Sequence, residues 1–257
     1  MTTSVAQSPS AVKFLSSMPK KQRRKRMDSR LRGNDKEKNT AGGGCATCSG
    51  WDNMNSQGKG KPVVGIVGGI GSGKSEVSAR LGEMGCDVID CDKLGHAVLE
   101  DEQVRLVIRE RWGDGVFLSS GEVSRDALGE RVFFDPAELE ALGEIMYPRI
   151  RERIIERIAA GLTGPCLALV IDAAVLFEAG WDDLCSHVVF VDAPARERFA
   201  RVHRGRGWDY QKFQAREKLQ IPLDIKRNRC CYTASNSSGI SHLHEECTRV
   251  LQQIIRG

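Results

Sequence analysis

The chain reads as an α/β protein with a parallel sheet, and three observations carry that reading. Short apolar runs such as Val63–Val67 and Val188–Val191 end in glycine or aspartate, as strands buried on both faces do. Stretches of helical period separate those runs, and strands alternating with helices build parallel sheets. Finally, a strand, a glycine-rich turn, a helix and a second strand fit into about thirty residues after Pro62, the length of a βαβ unit with a right-handed crossover.

Taken in order, Val63–Val67 is the first strand. Val77, Leu81 and Met84 recur at helical spacing and Gly85 closes that helix. Cys86–Asp90 is the second strand. Residues 96–160 are mainly helical. Asp135-Pro136-Ala137-Glu138 predicts a helix start, with Asp as N-cap, Pro in the first position and Glu completing a capping box. Leu139, Leu142, Ile145 and Met146 give that helix its buried face. Pro148 is expected to break or kink it, and Ile150, Ile154 and Ile158 mark the next. A glycine-proline loop at 161–165 leads into a buried strand, Leu167–Ile171, ending at Asp172. Val188–Val191 ends at Asp192. Helical, arginine-rich sequence fills 194–229, and Ile240–Ile255 makes a last helix.

Charge divides the chain at residue 60. The 257 residues carry a formal +4, yet residues 1–60 hold 12 Lys/Arg against 4 Asp/Glu, and the remainder holds 26 against 30. The body is therefore mildly acidic, which argues against a surface built to track a nucleic-acid backbone. Residues 1–60, with the run Lys20-Lys21-Gln22-Arg23-Arg24-Lys25-Arg26, are expected to be a disordered basic extension, and Met27 and Met54 are in-frame alternatives for the start of translation. The longest apolar runs stop far short of a membrane span. Nine cysteines, an odd number set mostly in apolar stretches, suit a reducing, cytoplasmic setting better than a disulfide framework. Cys45–Cys48 has metal-like spacing without a second pair beside it, and His242, His244 and Cys247 offer at most two ligands on one helix face.

Gly68-Gly69-Ile70-Gly71-Ser72-Gly73-Lys74-Ser75 fits G-x-x-x-x-G-K-[ST] in full, between a strand and a helix. Glycines let successive backbone N–H groups converge on phosphate oxygens, and the helix that follows adds its positive end. Gly69, Gly71, Ser72, Gly73, Lys74, Ser75 and Glu76 are thus the candidates to hold a nucleoside triphosphate, with Lys74 on the β- and γ-phosphates and Ser75 the Mg²⁺ ligand. Strands of parallel sheets present ligand sites at their carboxyl ends. Three end in carboxylates: Asp90 with Asp92, Asp172, and Asp192. Asp92 is the candidate to accept a proton from an attacking hydroxyl, whereas Asp192 reads as a helix cap. The arginine-dense segment Arg196, Arg198, Arg201, Arg204, Arg206 and Arg216 suits a closing lid that brings cations over a transferring phosphoryl group. Arg201 and Arg204 are its candidates for the nucleotide phosphates, and Gly205 and Gly207 favour mobility. An exposed helix with ion pairs such as Glu197–Arg201 is the plainer alternative.

These residues resemble the dephospho-coenzyme A kinase family. The glycine loop followed by Val88-Ile89-Asp90-Cys91-Asp92 begins the likeness, which continues over most of 62–239. Trp112-Gly113, Gly121-Glu122-Val123-Ser124-Arg125, Arg131-Val132-Phe133 with Asp135-Pro136, Leu176-Phe177-Glu178 and Val191-Asp192-Ala193-Pro194 are similar to that family's segments in their order. So is Arg216-x-x-x-Gln220-x-Pro222-Leu223-x-x-Lys226. The resemblance implies a three-layer α/β/α core, a helical substrate region at about 96–160 and a lid at about 196–229, within a kinase unit spanning 61–257. It implies ATP-dependent phosphorylation of the ribose 3′-hydroxyl of dephospho-CoA, the last step of coenzyme A synthesis, with Asp92 as base. The chain departs from the family pattern at Tyr147 for His, Ala174 for Pro, Cys231 for Asp, Ala234-Ser235 for Ile-Asp before Asn236, and Glu76 for Thr. A monomer with no nucleic-acid partner is expected. Two alternatives stay open from the residues themselves: another small-molecule or nucleotide kinase of the same class, and a non-enzymatic nucleotide- or nucleic-acid-binding protein.

Overall fold

The computed structural model describes residues 60–256; the basic extension and Cys45–Cys48 lie outside the described residues. Five strands form one parallel sheet: β1 (Val63–Gly68), β2 (Asp87–Asp90), β3 (Leu169–Asp172), β4 (His187–Asp192) and β5 (Tyr232–Ser235). Their order across the sheet is β2-β3-β1-β4-β5, with Ile66 level with Asp172 on one side and Gly68 level with Val191 on the other. The strand carrying the glycine loop is therefore central, and β3 and β4, its two neighbours, both deliver a terminal carboxylate to the same edge.

Side chains along β1 alternate between two cores, as the two-residue period of a strand requires. Val63 and Val67 face a large core shared with Ile89, Ile154, Ile171 and Trp181, whereas Val64 and Ile66 face a smaller one with Val77, Leu81, Val170 and Leu251. Helix α1 (Lys74–Glu83) and the C-terminal α9 (Ile240–Arg256) cover the smaller side. The other face is covered by α2 (Cys91–Leu99), α3 (Glu102–Trp112), α4 (Arg125–Val132) and α5 (Pro136–Thr163). Helices on both faces of a parallel sheet give the expected three layers.

Between β4 and β5 run α6 (Ala195–Arg206), α7 (Tyr210–Lys218) and α8 (Leu223–Asn228). Gly207 closes α6 in the left-handed region at φ 65°, a conformation that glycine adopts without a Cβ penalty.

Three local expectations are corrected, and one strand is added. Pro148 does not end a helix: α5 runs 28 residues with Pro148 inside it, because Met146, Ile150, Ile154 and Ile158 keep one continuous buried stripe that outweighs the lost backbone bond. Asp135 does cap α5, accepting from Ala137 N at 2.9 Å, but no capping box forms. Glu138 turns away to Arg111 and to the Trp112 indole, at 3.0 and 2.7 Å. Asp192 does not cap α6, whose N-cap is Pro194; its carboxylate pairs with Arg227. The added strand is β5, whose Tyr-Thr-Ala-Ser is short with only Ala234 buried, so it carries no apolar run that would mark it in the sequence.

Candidate active site

The glycine loop leaves β1 at Gly68 and enters α1 at Lys74. Gly73 is the N-cap of α1 at φ 94°, ψ 27°, and no side chain caps the helix, so the N–H groups of Gly73, Lys74 and Ser75 have no intrahelical partner. Such a helix start attracts an anion. Glycine is required here on two counts. Gly71 and Gly73 have positive φ, and a Cβ on Gly71 would stand 2.4 Å from the Arg198 carbonyl oxygen, one on Gly73 2.2 Å from Asn236 Nδ2. The loop is pressed against α6 and the residue after β5.

Lys74 folds back over its own loop, donating to the carbonyl oxygens of Gly68 and Gly69 at 3.1 and 3.2 Å. Burial pulls its pKa down from the usual lysine value to about 8; Asp172 and Asp92 hold it up, and Lys226 and Arg206 push it further down. Asp172, at the end of β3, is moved upward by burial, with Lys74 opposing. The charges of Asp172 and Asp92 also act on one another. The structure thus gathers the loop lysine and the carboxylates that follow β2 and β3 around one point at the carboxyl edge.

Asp90 and Asp92 separate cleanly. Asp90 is the N-cap of α2 and accepts from Lys93 N at 3.0 Å, so its carboxylate serves the helix. Asp92, in the first turn, is exposed, and its charge is felt at Lys74. Ser75 is exposed at the head of α1. Glu76 is exposed too, but its carboxylate lies 3.7 Å from His244 on α9. That geometry places it beside the C-terminal helix and uses a histidine of the His242–His244–Cys247 group.

Two arginines of α6 grip the loop. Arg201 donates to the carbonyls of Gly71 and Ser72 at 3.4 and 3.3 Å and to Asn236 O at 2.9 Å, while keeping the Glu197 pair at 3.0 Å. The buried Arg198 donates to Ile70 O at 3.3 Å and pairs with Glu217 of α7. Arg204 is exposed and makes no hydrogen bond or ion pair among the described residues; Arg206, also exposed, is the one whose charge is felt at Lys74. Sequence spacing could have singled out Arg198, three residues before Arg201 on the same helix face. Asn236 could not be found that way, because its role depends on β5. Its side-chain amide donates to Ser72 O at 2.8 Å.

A second constellation joins segments far apart in sequence. Lys226 of α8, fully buried, pairs with Glu178 at 2.7 Å and donates to the Ala174 carbonyl at 3.2 Å. Glu178 also accepts from Ile221 N at 3.0 Å. Since the partner at 174 is a backbone carbonyl, alanine supplies it as well as proline would. Tyr147 packs edge-on against Trp181, ring centroids 5.7 Å apart, and burial with the nearby Glu178 raises its pKa.

A central strand running into a glycine loop and helix, with the charges of a carboxylate ending β3 and another following β2 felt at the loop lysine, defines a P-loop kinase. Comparison with known proteins narrows this. The model of the family described as "Dephospho-CoA kinase" matches residues 62–242. The dephospho-CoA kinase of Dehalococcoides mccartyi is 37% identical over 176 residues, covering 65% of this chain and 89% of its own length. That of Thermus thermophilus is 32% identical over 204 residues, covering 79% and 97%. Among solved structures, TT1252 from Thermus thermophilus superposes with a TM-score of 0.66 at 31% identity, covering 76% of this chain and 98% of that one. The chain belongs to the dephospho-CoA kinase family.

Proposed function

We propose that the protein transfers the γ-phosphoryl group of ATP to the ribose 3′-hydroxyl of dephospho-CoA, giving coenzyme A and ADP. Family membership supports the reaction, and the charges of Asp92 and Asp172 acting on Lys74 and on one another support the mechanism. The uncapped N–H groups heading α1 bind the phosphates. Lys74 moves from the Gly68 and Gly69 carbonyls onto the β- and γ-phosphates. Asp92 accepts the proton as the 3′-oxygen bonds to the γ-phosphorus and the bond to the β-phosphate oxygen breaks. Arg201 and Arg206 offset charge on the phosphates, and Arg204 joins them once the lid swings inward.

The donor set fits Mg²⁺, since an exposed hydroxyl at Ser75 and the Asp172 carboxylate are hard oxygen ligands beside the phosphate position. Bound there, Mg²⁺ neutralises charge on the transferring phosphates. Residues 96–160 then form the acceptor-binding region and 196–229 the lid of a unit beginning near residue 61. We further propose a monomer that binds no nucleic acid and works in the cytoplasm, a reading that rests on the acidic body and the seven free thiols among the described residues. No helix among those residues is long and apolar enough to cross a membrane.

The test is direct. Purified protein with ATP, Mg²⁺ and dephospho-CoA should form coenzyme A and ADP in equal amounts. Phosphorylation of a nucleoside monophosphate in its place would overturn the acceptor, and absence of turnover with any small acceptor would overturn the enzyme.

A further inference from the structure

Resting on the reading that the head of α1 holds nucleotide phosphates, we propose that Glu76 limits how tightly they are held, by charge repulsion, and that His244 of α9 relieves part of that repulsion by drawing the carboxylate to itself. Glu76 is the third residue of α1, directly after Ser75, and stands where the family pattern has Thr. The residues before it offer backbone N–H groups without an intrahelical partner. That of Glu76 is already bonded to Gly73 O, at 3.1 Å. What Glu76 brings to the head of the helix is therefore a negative charge and no free donor. A carboxylate in the first turn competes with a phosphate for the same positive helix end. A nucleoside polyphosphate carries several negative charges, each of which meets this one across partly exposed protein, where Coulomb forces are weakened but not abolished.

Where the carboxylate goes is set by α9. Thr248 donates to His244 O at 2.9 Å and reaches Met84 Sδ, at the C-cap of α1, at 4.0 Å. Val77 and Leu81 share a core with Cys247 and Leu251, so the two helices lie side by side. His244 Nε2 stands 3.7 Å from the Glu76 carboxylate, and both side chains are partly exposed. The charged neighbours are matched on their own helices: Arg80 with Glu83 on α1 at 2.9 Å, and His242 with Glu245 and Arg249 with Glu246 on α9 at 3.9 and 2.9 Å. Among the described residues Glu76 has no arginine or lysine partner; its one ion-pair contact is an imidazole. The negative charge beside the loop is thus only partly offset. A position that reads in the sequence as a nucleotide ligand acts against the nucleotide, raising KM for ATP and easing the release of ADP.

Calorimetric titration of the whole chain with ADP and with ATP tests this. Glu76→Gln should lower both dissociation constants about 3- to 10-fold at low ionic strength, and the gain should shrink to about twofold or less near 1 M salt, where the Debye length is about 3 Å. Glu76→Asp keeps the charge and should stay within about twofold of the parent. His244→Leu should weaken both nucleotides about two- to threefold in the parent and leave them unchanged in the Glu76→Gln background, the signature of a coupled pair. Affinity that falls or stays constant in Glu76→Gln overturns the proposal, as does a gain that salt leaves intact or that Asp reproduces. An effect of His244→Leu that is absent in the parent, or equal with and without the Glu76 charge, overturns the part given to His244. A parent protein that binds neither nucleotide overturns the nucleotide site itself, and this role with it.

Discussion

The nucleotide side of the site and the acceptor side are built on different principles. On the nucleotide side the proposed binding groups are backbone atoms of one contiguous loop, and side chains from elsewhere hold that loop: Arg198 and Arg201 from α6, and Asn236 after β5, all bond to its carbonyls or its neighbours. On the acceptor side the proposed working group is a single side chain, the exposed Asp92 in the first turn of α2. A phosphate chain is common to many substrates and can be met by a fixed backbone cradle. An acceptor is particular, and side chains on a helical scaffold are what can be varied to fit it.

Substitutions can break this contrast, beginning with the largest effect. Lys74→Ala should lower kcat by more than about 10³-fold, because it removes the one side-chain cation that the loop itself contributes to the phosphates. Asp92→Asn should lower kcat by about 10²- to 10⁴-fold with little change in KM for ATP, the range of a lost general base. Near-normal kcat in that variant would remove Asp92 from the chemistry and leave the acceptor side with binding groups alone. Asn236→Ala tests the supports on the nucleotide side. It should raise KM for ATP about tenfold and leave KM for dephospho-CoA unchanged, since the lost bond is to Ser72 O. Movement of both constants together would show that the two sides are not separable.

The smallest effect is in pH. The folded chain holds the Lys74 proton less tightly than an unfolded chain does, with a pKa of about 8 against 10.5. Above pH 8 the free protein loses a positive charge at the phosphate position, so ATP affinity measured by titration should fall by a few-fold as pH rises toward 9. Over the same interval the unfolded state binds more protons than the folded state, so stability from this group should rise. Affinity and melting temperature should move in opposite directions, and the Lys74→Ala protein should show neither trend.

The contrast also explains what the sequence discloses. The loop is legible because its chemistry is contiguous: the glycines, Lys74 and Ser75 adjoin, and a strand and helix flank them as the geometry requires. Asp92 is legible because it follows the next strand directly. What stayed hidden depends on long-range packing. Lys226 and Glu178 are 48 positions apart and meet only once α8 lies against the turn after β3. The partner choice of Glu138 is set by Trp112 and Arg111, not by the local capping pattern. Pro148 misleads for a related reason: a local rule predicts a break, and the buried isoleucines of α5 decide otherwise.

The bond between Asn236 and Ser72 spans 164 residues of chain. During synthesis the glycine loop is complete long before its clamp exists, and at about 5–20 residues per second the interval is on the order of ten to thirty seconds. Strand β1 must wait as well, since its neighbours β3 and β4 are both made about a hundred or more residues later. A nascent chain therefore carries the whole glycine loop before the residue that clamps it, and the loop gains its last support only after β5 has joined the sheet.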